Sequence, residues 1–217
     1  MKALYIGVYG ASGFGKEVMP LVRQQFPHLY KEQFVFIDDG EAGKYLNSYQ
    51  VLSYSDFLAY KSPQKAVTIA IANSKVREKL ASLLGQDGIQ HLDIQAANTI
   101  VLDEVEIGTG SLLCPFTCLT SNIKIGKFFH ANIYSYVAHD CIIGDYVTFA
   151  PGVKCNGNIH IQDHAYIGTG AIIKQGTPDQ PLIIGKGAIV GMGAVVTKSV
   201  PAGVTVVGNP ARILQRT

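Results

Sequence analysis

The sequence predicts an α/β N-terminal half-Rossmann-like domain followed by an all-β left-handed parallel β-helix built from hexapeptide repeats. Two observations predict this fold class. Up to about residue 90, apolar strand-like segments alternate with helical segments, which is typical of βαβ units around a parallel sheet. From residue 101 onward an apolar residue recurs at every sixth position, a period that fits neither a helix nor an ordinary strand. We therefore expect two domains, residues 1–94 and 95–217.

The first domain is predicted from the order of its segments. Strands are expected at residues 3–9, 34–37 and 67–72, and helices at residues 17–25 and 74–84, the second with Ser74 as its N-cap. Such a chain of about 90 residues is only half of a full dinucleotide-binding domain. We therefore expect a small parallel sheet.

A glycine-rich turn, residues 10–16 (GASGFGK), follows the first strand. It places backbone N–H groups and a helix N-terminus where a phosphate can bind. The acidic pair Asp38-Asp39 ends the next strand and suits a ribose or a base edge. These features alone suit NAD as well as another nucleotide. The missing second βαβ half and the lack of a hydride-accepting domain argue against NAD.

The second domain is predicted from a ladder of apolar residues. A six-residue period describes a triangular coil of eighteen residues, whose three short strands stack on those of the next coil. Glycine often follows the ladder residue directly, so we expect these glycines at the corners of the coil. The consecutive ladder positions are Val101, Ile107, Leu113, Leu119, Ile125, Ala131, Val137, Ile143, Phe149, Cys155, Ile161, Ile167 and Ile173.

The ladder resumes five residues late, because Ile184 lies eleven residues after Ile173. The interrupting segment, residues 175–181, is rich in turn formers and is expected to protrude as a loop. The sequence leaves two interpretations of this loop open. It is either an inert insertion or a loop that shapes a ligand groove.

Composition and charge bound the class of protein. The 217 residues are 47% hydrophobic and 16% charged, and the net charge of +2 is shared evenly between the two halves. Because no basic stripe exists, nucleic acid is not expected as a partner. No apolar run approaches the roughly 20 residues of a membrane helix, and the N-terminus lacks a signal-peptide pattern. We expect a cytoplasmic protein without a membrane span.

Metal chemistry is not expected either. The spacing of Cys114, Cys118, Cys141 and Cys155 fits neither a CxxC pair nor a zinc ribbon, so we expect small buried side chains rather than ligands or disulfides. None of the six histidines lies eighteen or thirty-six residues from another. This spacing argues against the three-histidine zinc site of a carbonic anhydrase on a β-helix.

Together the motifs resemble the NeuD/PglD-like family of sugar acyltransferases over nearly the whole chain, and most closely its UDP-amino-sugar N-acetyltransferases. The resemblance implies that residues 1–94 bind the UDP part of a UDP-sugar and that residues 95–217 transfer an acyl group. It also implies homotrimers that use acetyl-CoA, with active sites between subunits. The motifs are the glycine-rich turn, FIDD at residues 36–39, AIAN at 70–73, HDC at 139–141, GN at 157–158 and VGNPAR at 207–212.

The resemblance assigns the catalytic role to His139. An imidazole beside a carboxylate, here Asp140, can accept the proton of an amine as its nitrogen attacks a thioester, and can return it to the departing thiolate. Asp140 would orient the ring. One coil of eighteen residues places Gly157 about one strand spacing from His139, where its N–H would stabilise the oxyanion of the tetrahedral intermediate. We expect direct transfer without an acyl-enzyme.

The resemblance and the coil positions also assign binding residues. Two of them depart from the family pattern, because Phe14 and Thr148 stand where many relatives carry histidine. No metal is expected in the site. The expected UDP-sugar contacts are Ser12, Gly13, Phe14, Asp38, Asp39, Ala72, Lys75 and Asn132. The expected acetyl-CoA contacts are Thr148, Thr169 and Met192.

The resulting hypothesis is an acetyl-CoA-dependent N-acetyltransferase of a UDP-linked amino-deoxy sugar in the synthesis of surface-glycan precursors. A sugar or sialic acid O-acetyltransferase is the alternative, because a histidine base serves an amine and a hydroxyl equally. A non-catalytic sugar-nucleotide-binding scaffold is the second alternative. A triangular prism with flat faces suits cyclic packing, in agreement with a homotrimer.

Overall fold

A computed structural model describes residues 4–215, which divide into two compact units after Ile94. Ala3, the first residue of the first predicted strand, lies outside the described residues. In the described part of the chain, no helix has the length and apolar content that crossing a membrane requires.

The first unit is built around a six-stranded sheet, of which only the β3–β4 pair is antiparallel. The sheet order is β3-β4-β2-β1-β5-β6. Nearly all residues of β1 and β2 are buried, as expected for central parallel strands with both faces covered. The elements are β1 (Leu4–Tyr9), α1 (Gly13–Gln25), a 3-10 helix (Lys31–Gln33), β2 (Phe34–Ile37), β3 (Tyr45–Leu46), β4 (Tyr49–Leu52), α2 (Tyr54–Ala59), β5 (Gln64–Ile69), α3 (Ser74–Gln86) and β6 (Gln90–His91).

Several details of this unit differ from the sequence prediction. β5 begins and ends three residues earlier than predicted, which leaves residues 70–73 as a loop. Asn73 rather than Ser74 caps α3, because its Oδ1 accepts the N–H groups of Lys75 (3.1 Å) and Val76 (3.2 Å). The sequence does not predict β3, β4 or α2, since short elements carry too few residues to show a period.

The second unit is a left-handed parallel β-helix, so the predicted fold class is confirmed. Its coils have three faces, each a parallel sheet apart from the terminal β25. Face 1 comprises β7 (Ile94–Gln95), β10 (Leu112–Leu113), β13 (His130–Ala131), β16 (Thr148–Phe149), β19 (Tyr166–Ile167), β22 (Ile189–Val190), β24 (Thr205–Val207) and β25 (Arg212–Ile213).

The other two faces complete the prism. Face 2 comprises β8 (Ile100–Val101), β11 (Cys118–Leu119), β14 (Tyr136–Val137), β17 (Lys154–Cys155), β20 (Ile172–Ile173) and β23 (Val195–Val196). Face 3 comprises β9 (Val105–Ile107), β12 (Ile123–Ile125), β15 (Ile142–Ile143), β18 (Ile159–Ile161) and β21 (Leu182–Ile184). We number the corners by the faces that they join, so that corner 2/3 joins face 2 to face 3.

The strand register explains the ladder. Leu119 pairs with Val137 and Val137 with Cys155, so successive coils are displaced by eighteen residues. The ladder residues from Leu113 to Ile173 point into the prism and form one buried core. The six-residue period therefore reflects one inward-facing position for each face of each coil.

The glycines that follow ladder residues lie at corners, as predicted, and the structure shows why glycine is needed. Gly108 and Gly126 do not have positive φ angles. A Cβ on Gly108 would lie 2.6 Å from the carbonyl carbon of Gly126, and a Cβ on Gly126 would lie 2.7 Å from that of Gly144. Glycine at these positions lets one coil approach the next.

The left-handed backbone positions of the corners are occupied by larger residues. At corner 3/1, Phe128, Tyr146 and His164 all have positive φ angles. Their rings stack from coil to coil, with centroids 5.2 Å and 5.3 Å apart and nearly parallel planes. This stacking offsets the cost of a left-handed conformation for residues with a Cβ.

Candidate active site

His139 and Asp140 lie at corner 2/3, between β14 and β15. The Nδ1 atom of His139 is 2.7 Å from Oδ2 of Asp140, and both side chains are about half exposed. The hydrogen bond with His139 lowers the pKa of Asp140, so this carboxylate is ionised at neutral pH. Because Asp140 engages Nδ1, the Nε2 atom remains available for a substrate.

Gly157 lies against the ring of His139, one coil further along the prism. The neighbouring Asn158 N–H donates to the carbonyl oxygen of His139 at 3.0 Å. A Cβ on residue 157 would lie 2.6 Å from Nε2 of His139, so only glycine leaves room for the imidazole. Within residues 4–215, the Gly157 N–H meets no hydrogen-bond acceptor. The predicted eighteen-residue relation therefore brings an imidazole nitrogen and a free amide donor together.

The loop of residues 175–181 emerges from the same corner. The Gly176 N–H donates to the carbonyl oxygen of Gly157 at 3.0 Å, and the Leu182 N–H donates to that of Asn158 at 3.1 Å. Both ends of the loop are thus anchored to the segment that packs against His139. A Cβ on residue 176 would collide with the Asn158 carbonyl oxygen, so the anchorage requires glycine.

A groove of about 320 Å³ runs beside this loop. Its lining includes Lys174 and Lys198, on the two coils beyond that of Gly157. Thr177 and Gln180 close the loop with two backbone hydrogen bonds of 3.1 Å. The loop is therefore a compact turn beside a groove with two ammonium groups.

The expected acetyl-CoA residues and Asn132 lie away from His139 within one chain. Asn132, Thr169 and Met192 lie at corner 1/2, on the opposite edge of face 2. The Gly193 N–H donates to the carbonyl oxygen of Thr169 at 2.8 Å, which places the 82% exposed Met192 one coil beyond Thr169. Thr148 lies on face 1 and is only 5% exposed.

The acidic pair of the first unit follows β2 and is held by hydrogen bonds. Asp38 Oδ2 accepts the N–H of Ala11 in the glycine-rich turn at 3.0 Å. Asp39 accepts the Tyr54 N–H at 2.8 Å and the Tyr9 hydroxyl at 3.3 Å. Burial and the nearby Asp39 charge raise the pKa of Tyr9, so its hydroxyl remains a donor. The two carboxylates are fixed at the end of the strand and keep unused acceptor capacity.

The remaining residues that the sequence predicts to contact the nucleotide share this edge of the sheet. Ser12 is the N-cap of α1, and Gly13 and Phe14 form the start of the helix, directly after β1. Ala72 lies in the loop after β5, and Lys75 lies in the first turn of α3 with its side chain exposed. Carboxyl ends of parallel strands with helix N-termini beside them are the usual place for a phosphate-bearing ligand.

The sequence reasoning missed two residues that support these sites. Asn122 Nδ2 donates to Oδ1 of Asp140 at 3.2 Å, and its distance of eighteen residues from Asp140 is the signal that would find it. Arg77 is fully buried and donates to the carbonyl oxygens of Ile71 (2.8 Å) and Ala72 (3.1 Å). No sequence pattern identifies Arg77 as buried. It stands among the charged residues Lys75, Glu78 and Lys79, which are typical of the solvent-exposed side of a helix.

The sequence predicts small buried side chains for all four cysteines. Cys114, Cys141 and Cys155 are buried, whereas Cys118 is only partly buried. Across residues 4–215, no three histidine, cysteine, aspartate or glutamate side chains form a group that could hold a metal ion.

A left-handed β-helix that carries a histidine–aspartate pair against a glycine amide defines the protein as a hexapeptide-repeat acyltransferase. Models of the PglD N-terminal domain and of the bacterial transferase hexapeptide (six repeats) match residues 5–84 and 122–157. The chain belongs to the NeuD/PglD-like family of sugar acyltransferases.

The similar proteins span both units. The chain is 52% identical over 212 residues to the GDP-perosamine N-acetyltransferase of Escherichia coli O157:H7, covering 97% of this chain and 96% of that protein. It is 83% identical to WeeI from Acinetobacter baumannii AYE, with a TM-score of 0.97 and coverage of 97% and 100%. The acetyltransferase domain of PglB from Neisseria gonorrhoeae FA1090, solved with acetyl coenzyme A, is 29% identical, with a TM-score of 0.84 and coverage of 99% and 100%.

Proposed function

We propose that the protein transfers the acetyl group of acetyl-CoA to the amine of a UDP-linked amino-deoxy sugar, such as UDP-4-amino-4,6-dideoxy-N-acetylhexosamine, for surface-glycan precursors. The observation that carries this proposal is the His139–Asp140 pair against the free amide of Gly157. The name of the relative with 52% identity supports an amino-sugar acceptor, and the PglB complex supports acetyl-CoA as the donor. We place the reaction in the cytoplasm, where both substrates would be available.

His139 acts as the base in this mechanism. The amine nitrogen attacks the thioester carbonyl, and its proton passes to Nε2 of His139 as the carbon–nitrogen bond forms. The Gly157 N–H donates to the oxyanion of the tetrahedral intermediate. When the carbon–sulfur bond breaks, the imidazolium returns the proton to the CoA thiolate. Asp140 holds Nδ1 and stabilises the imidazolium between these two transfers.

The first unit binds the nucleotide. The amides of Ser12, Gly13 and Phe14 receive the diphosphate at the N-terminus of α1, where the helix dipole favours negative charge. Asp38 and Asp39 accept hydrogen bonds from the nucleoside. Ala72 and Lys75 form the opposite wall. Backbone amides supply most of the phosphate contacts, in keeping with a net charge of only +2.

The donor binds along the prism. The loop of residues 175–181 walls the pantetheine arm, and the groove beside it receives phosphate groups between Lys174 and Lys198. This is the functional interpretation of the loop rather than the inert one. Thr169 and Met192 of the neighbouring subunit also line the coenzyme A groove, whereas Thr148, only 5% exposed on face 1, lacks the exposed surface for this contact.

The active site forms between subunits of a homotrimer. His139 and the Asn132–Thr169–Met192 group lie on opposite edges of face 2, with β14 and the turn before it between residues 132 and 139. Within one chain the two groups therefore belong to different corners, and we infer that one active site takes them from two subunits. Packing corner 2/3 of one subunit against corner 1/2 of the next joins them. Exposed Ile142 and Ile183 on face 3 supply apolar surface beside His139 for such packing.

A thiol-release assay with acetyl-CoA and a panel of UDP- and GDP-linked sugars tests the function. Each nucleotide is offered with a 4-amino and with a 4-hydroxy sugar. We expect turnover of the UDP-linked amine and a roughly 10²–10⁴-fold loss for His139→Ala. Turnover restricted to GDP-linked amines would overturn the nucleotide assignment, turnover of hydroxyl sugars alone would favour an O-acetyltransferase, and binding without turnover would favour a scaffold.

A further inference from the structure

Corner 2/3 contains a third polar side chain in line with the His139–Asp140 pair. Asn122 Nδ2 donates to Oδ1 of Asp140 at 3.2 Å, while the other carboxylate oxygen, Oδ2, is 2.7 Å from Nδ1 of His139. The Asp140 carboxylate therefore bridges Asn122 and the imidazole, with one oxygen for each. The Asn122–Asp140 hydrogen bond thus connects two successive coils.

The backbone explains why these side chains meet. Asn122 and Asp140 both have a φ angle of +57°, a left-handed conformation that asparagine and aspartate tolerate better than most residues. The Asn122 N–H donates to the carbonyl oxygen of Asp103, and the Asp140 N–H donates to that of Ser121, each at 3.1 Å. The two residues thus occupy equivalent positions in successive coils, so their side chains leave the corner in the same direction.

Asp140 needs such support because its side chain is about half exposed. An exposed carboxylate without a second partner samples several rotamers, and only some of them reach Nδ1. The Asn122 N–H is a donor and therefore pairs with an acceptor, here Oδ1 of Asp140. The second carboxylate oxygen, Oδ2, remains for the imidazole of His139. The hydrogen bond with His139 and, to a smaller extent, that with Asn122 hold the pKa of Asp140 below its usual range.

We propose that Asn122 is a positioning residue for acyl transfer: it fixes the Asp140 carboxylate so that His139 presents Nε2 to the acceptor amine. This inference rests on the proposed function. Asn122 acts through Asp140, and its amide neither gains nor loses a proton near neutral pH, so it cannot serve as an acid or base. Its removal lowers the turnover number and leaves the binding of both substrates unchanged.

The test uses Asn122→Gly and Asn122→Asp in the full-length protein. Glycine removes the side chain and adopts a positive φ angle without strain, so the fold is preserved. Aspartate keeps the shape but removes the donor and sets a second carboxylate against Asp140. We expect kcat to fall about 3–10-fold for Asn122→Gly and further for Asn122→Asp, with KM for both substrates within about twofold of wild type.

Two further variants separate positioning from a structural effect. Glu104→Gly changes the equivalent corner position one coil earlier, where φ is +54°, and is expected to leave kcat unchanged. In an Asp140→Ala background, Asn122→Gly is expected to cause no additional loss, because its only route to His139 has been removed.

The outcomes are distinct. Wild-type kcat in Asn122→Gly, a loss that persists in the Asp140→Ala background, or an equal loss in Glu104→Gly would each overturn the role of Asn122. Wild-type turnover in both His139→Ala and Asp140→Ala would instead overturn the role of His139 as the base, and the positioning role with it. Absence of thiol release by the wild-type protein with every amino sugar would overturn the proposed function.

Discussion

At the scale of single residues, the geometry around His139 depends on a residue that has no side chain. Gly157 lies so close to the imidazole that a Cβ would be 2.5 Å from Cε1 and 2.6 Å from Nε2. The same glycine presents an N–H without an acceptor in the described part of the chain. One position thus provides both the space for the proposed base and a donor for the proposed oxyanion.

Gly157→Ala tests this double requirement. Its φ angle is not in the positive range, so alanine adds no backbone strain and the fold is expected to persist. The added methyl group must displace the His139 ring, and a displacement of about 1 Å lowers kcat by roughly 100-fold. Steady-state kinetics and thermal unfolding measure the two effects.

Gly85→Ala serves as the control for this variant. Residue 85 lies within α3, and the nearest atom to an added Cβ is 4.0 Å away. We expect unchanged kinetics and an unchanged or slightly raised unfolding temperature, because alanine favours a helix. A Gly157→Ala enzyme with wild-type kcat would show that the ring moves without consequence and is not the base.

At the scale of the coil, side chains connect successive coils. Strands of two or three residues contribute few backbone hydrogen bonds to this connection. Asp163 Oδ1 accepts the N–H of Asp145 in the preceding coil at 3.0 Å, and Oδ2 is 3.1 Å from Lys186 Nζ in the following coil. Gly144 makes room for this carboxylate, since a Cβ there would lie 2.5 Å from Oδ1. Asp163 therefore links three coils at corner 3/1.

Asp163→Asn is expected to lower stability only where the native carboxylate is ionised. Burial raises the pKa of Asp163, but the Asp145 N–H and Lys186 outweigh it and the pKa is lowered overall. A carboxylate whose pKa is lowered on folding stabilises the folded state at pH values above its pKa in the unfolded chain. This stabilisation is lost as the pH falls through its pKa in the folded protein. We expect a difference of about 0.5 kcal/mol at pH 7 that shrinks once the pH falls below the ordinary aspartate pKa of about 3.9.

Urea unfolding across this pH range measures the difference. Asp179→Asn is the control, because this residue lies in the loop of residues 175–181 and is exposed. Its unfolding free energy should track that of the wild type at every pH. A constant difference between Asp163→Asn and wild type from pH 7 to pH 3 would contradict the electrostatic explanation.

The loop at corner 2/3 is an element that can be removed without disturbing the ladder. β18 pairs Ile159 with Leu182, and Gly176 is anchored to Gly157, so deleting residues 177–181 brings Leu182 into register directly after Gly176. The deletion restores the six-residue period between Ile173 and Ile184. The corner can then be studied without the loop.

We expect this deletion to raise KM for acetyl-CoA about tenfold, equivalent to about 1.4 kcal/mol of lost binding, with little change in KM for the sugar nucleotide. The cause is the loss of the wall beside the pantetheine arm. Steady-state kinetics with each substrate varied in turn measure both constants. An unchanged KM for acetyl-CoA would mean that the loop is an inert insertion.

At the scale of the whole molecule, most of the site residues expected in the second unit are split between two edges of face 2. His139 belongs to corner 2/3, whereas Asn132, Thr169 and Met192 belong to corner 1/2. Closed rotational symmetry is the common solution for such complementary edges, because each subunit then offers one edge to each neighbour. A homotrimer of the 23.4 kDa chain would have a mass of about 70 kDa in solution.

Subunit complementation tests the shared site directly. His139→Ala and Asn132→Ala subunits, each impaired alone, are mixed, unfolded and refolded together. If each site takes its histidine from one subunit and its asparagine from the next, about a quarter of the sites in a 1:1 mixture are intact. Light scattering reports the mass, and the thiol-release assay reports the recovered activity.

No recovery in a mixture of confirmed trimers would place both residues in the same chain's site. A mass near that of one chain would contradict the shared site altogether. Mixing His139→Ala with Asp140→Ala is the control. His139 and Asp140 lie at the same corner of one chain, so no subunit in this mixture carries an intact pair. We therefore expect no recovered activity.

Several parts of this protein follow from the sequence by itself. The six-residue ladder determines the prism, because one inward position for each face repeats along the chain and needs no long-range information. The same period places Gly157 beside His139, and the order of apolar segments predicts β1 and β2. These features are local patterns that backbone geometry turns directly into position.

The tertiary structure alone decides the rest. Stacking of coils determines that Asn122 reaches Asp140 and that the rings of Phe128, Tyr146 and His164 meet at corner 3/1. In the first unit, packing buries Arg77, which donates to the loop of residues 70–73. Coil stacking also separates His139 from Asn132, although they are seven residues apart in the sequence. The reason is that side-chain contacts across coils depend on which residues the backbone stacks and on how each corner turns, and neither is encoded in a short stretch of sequence.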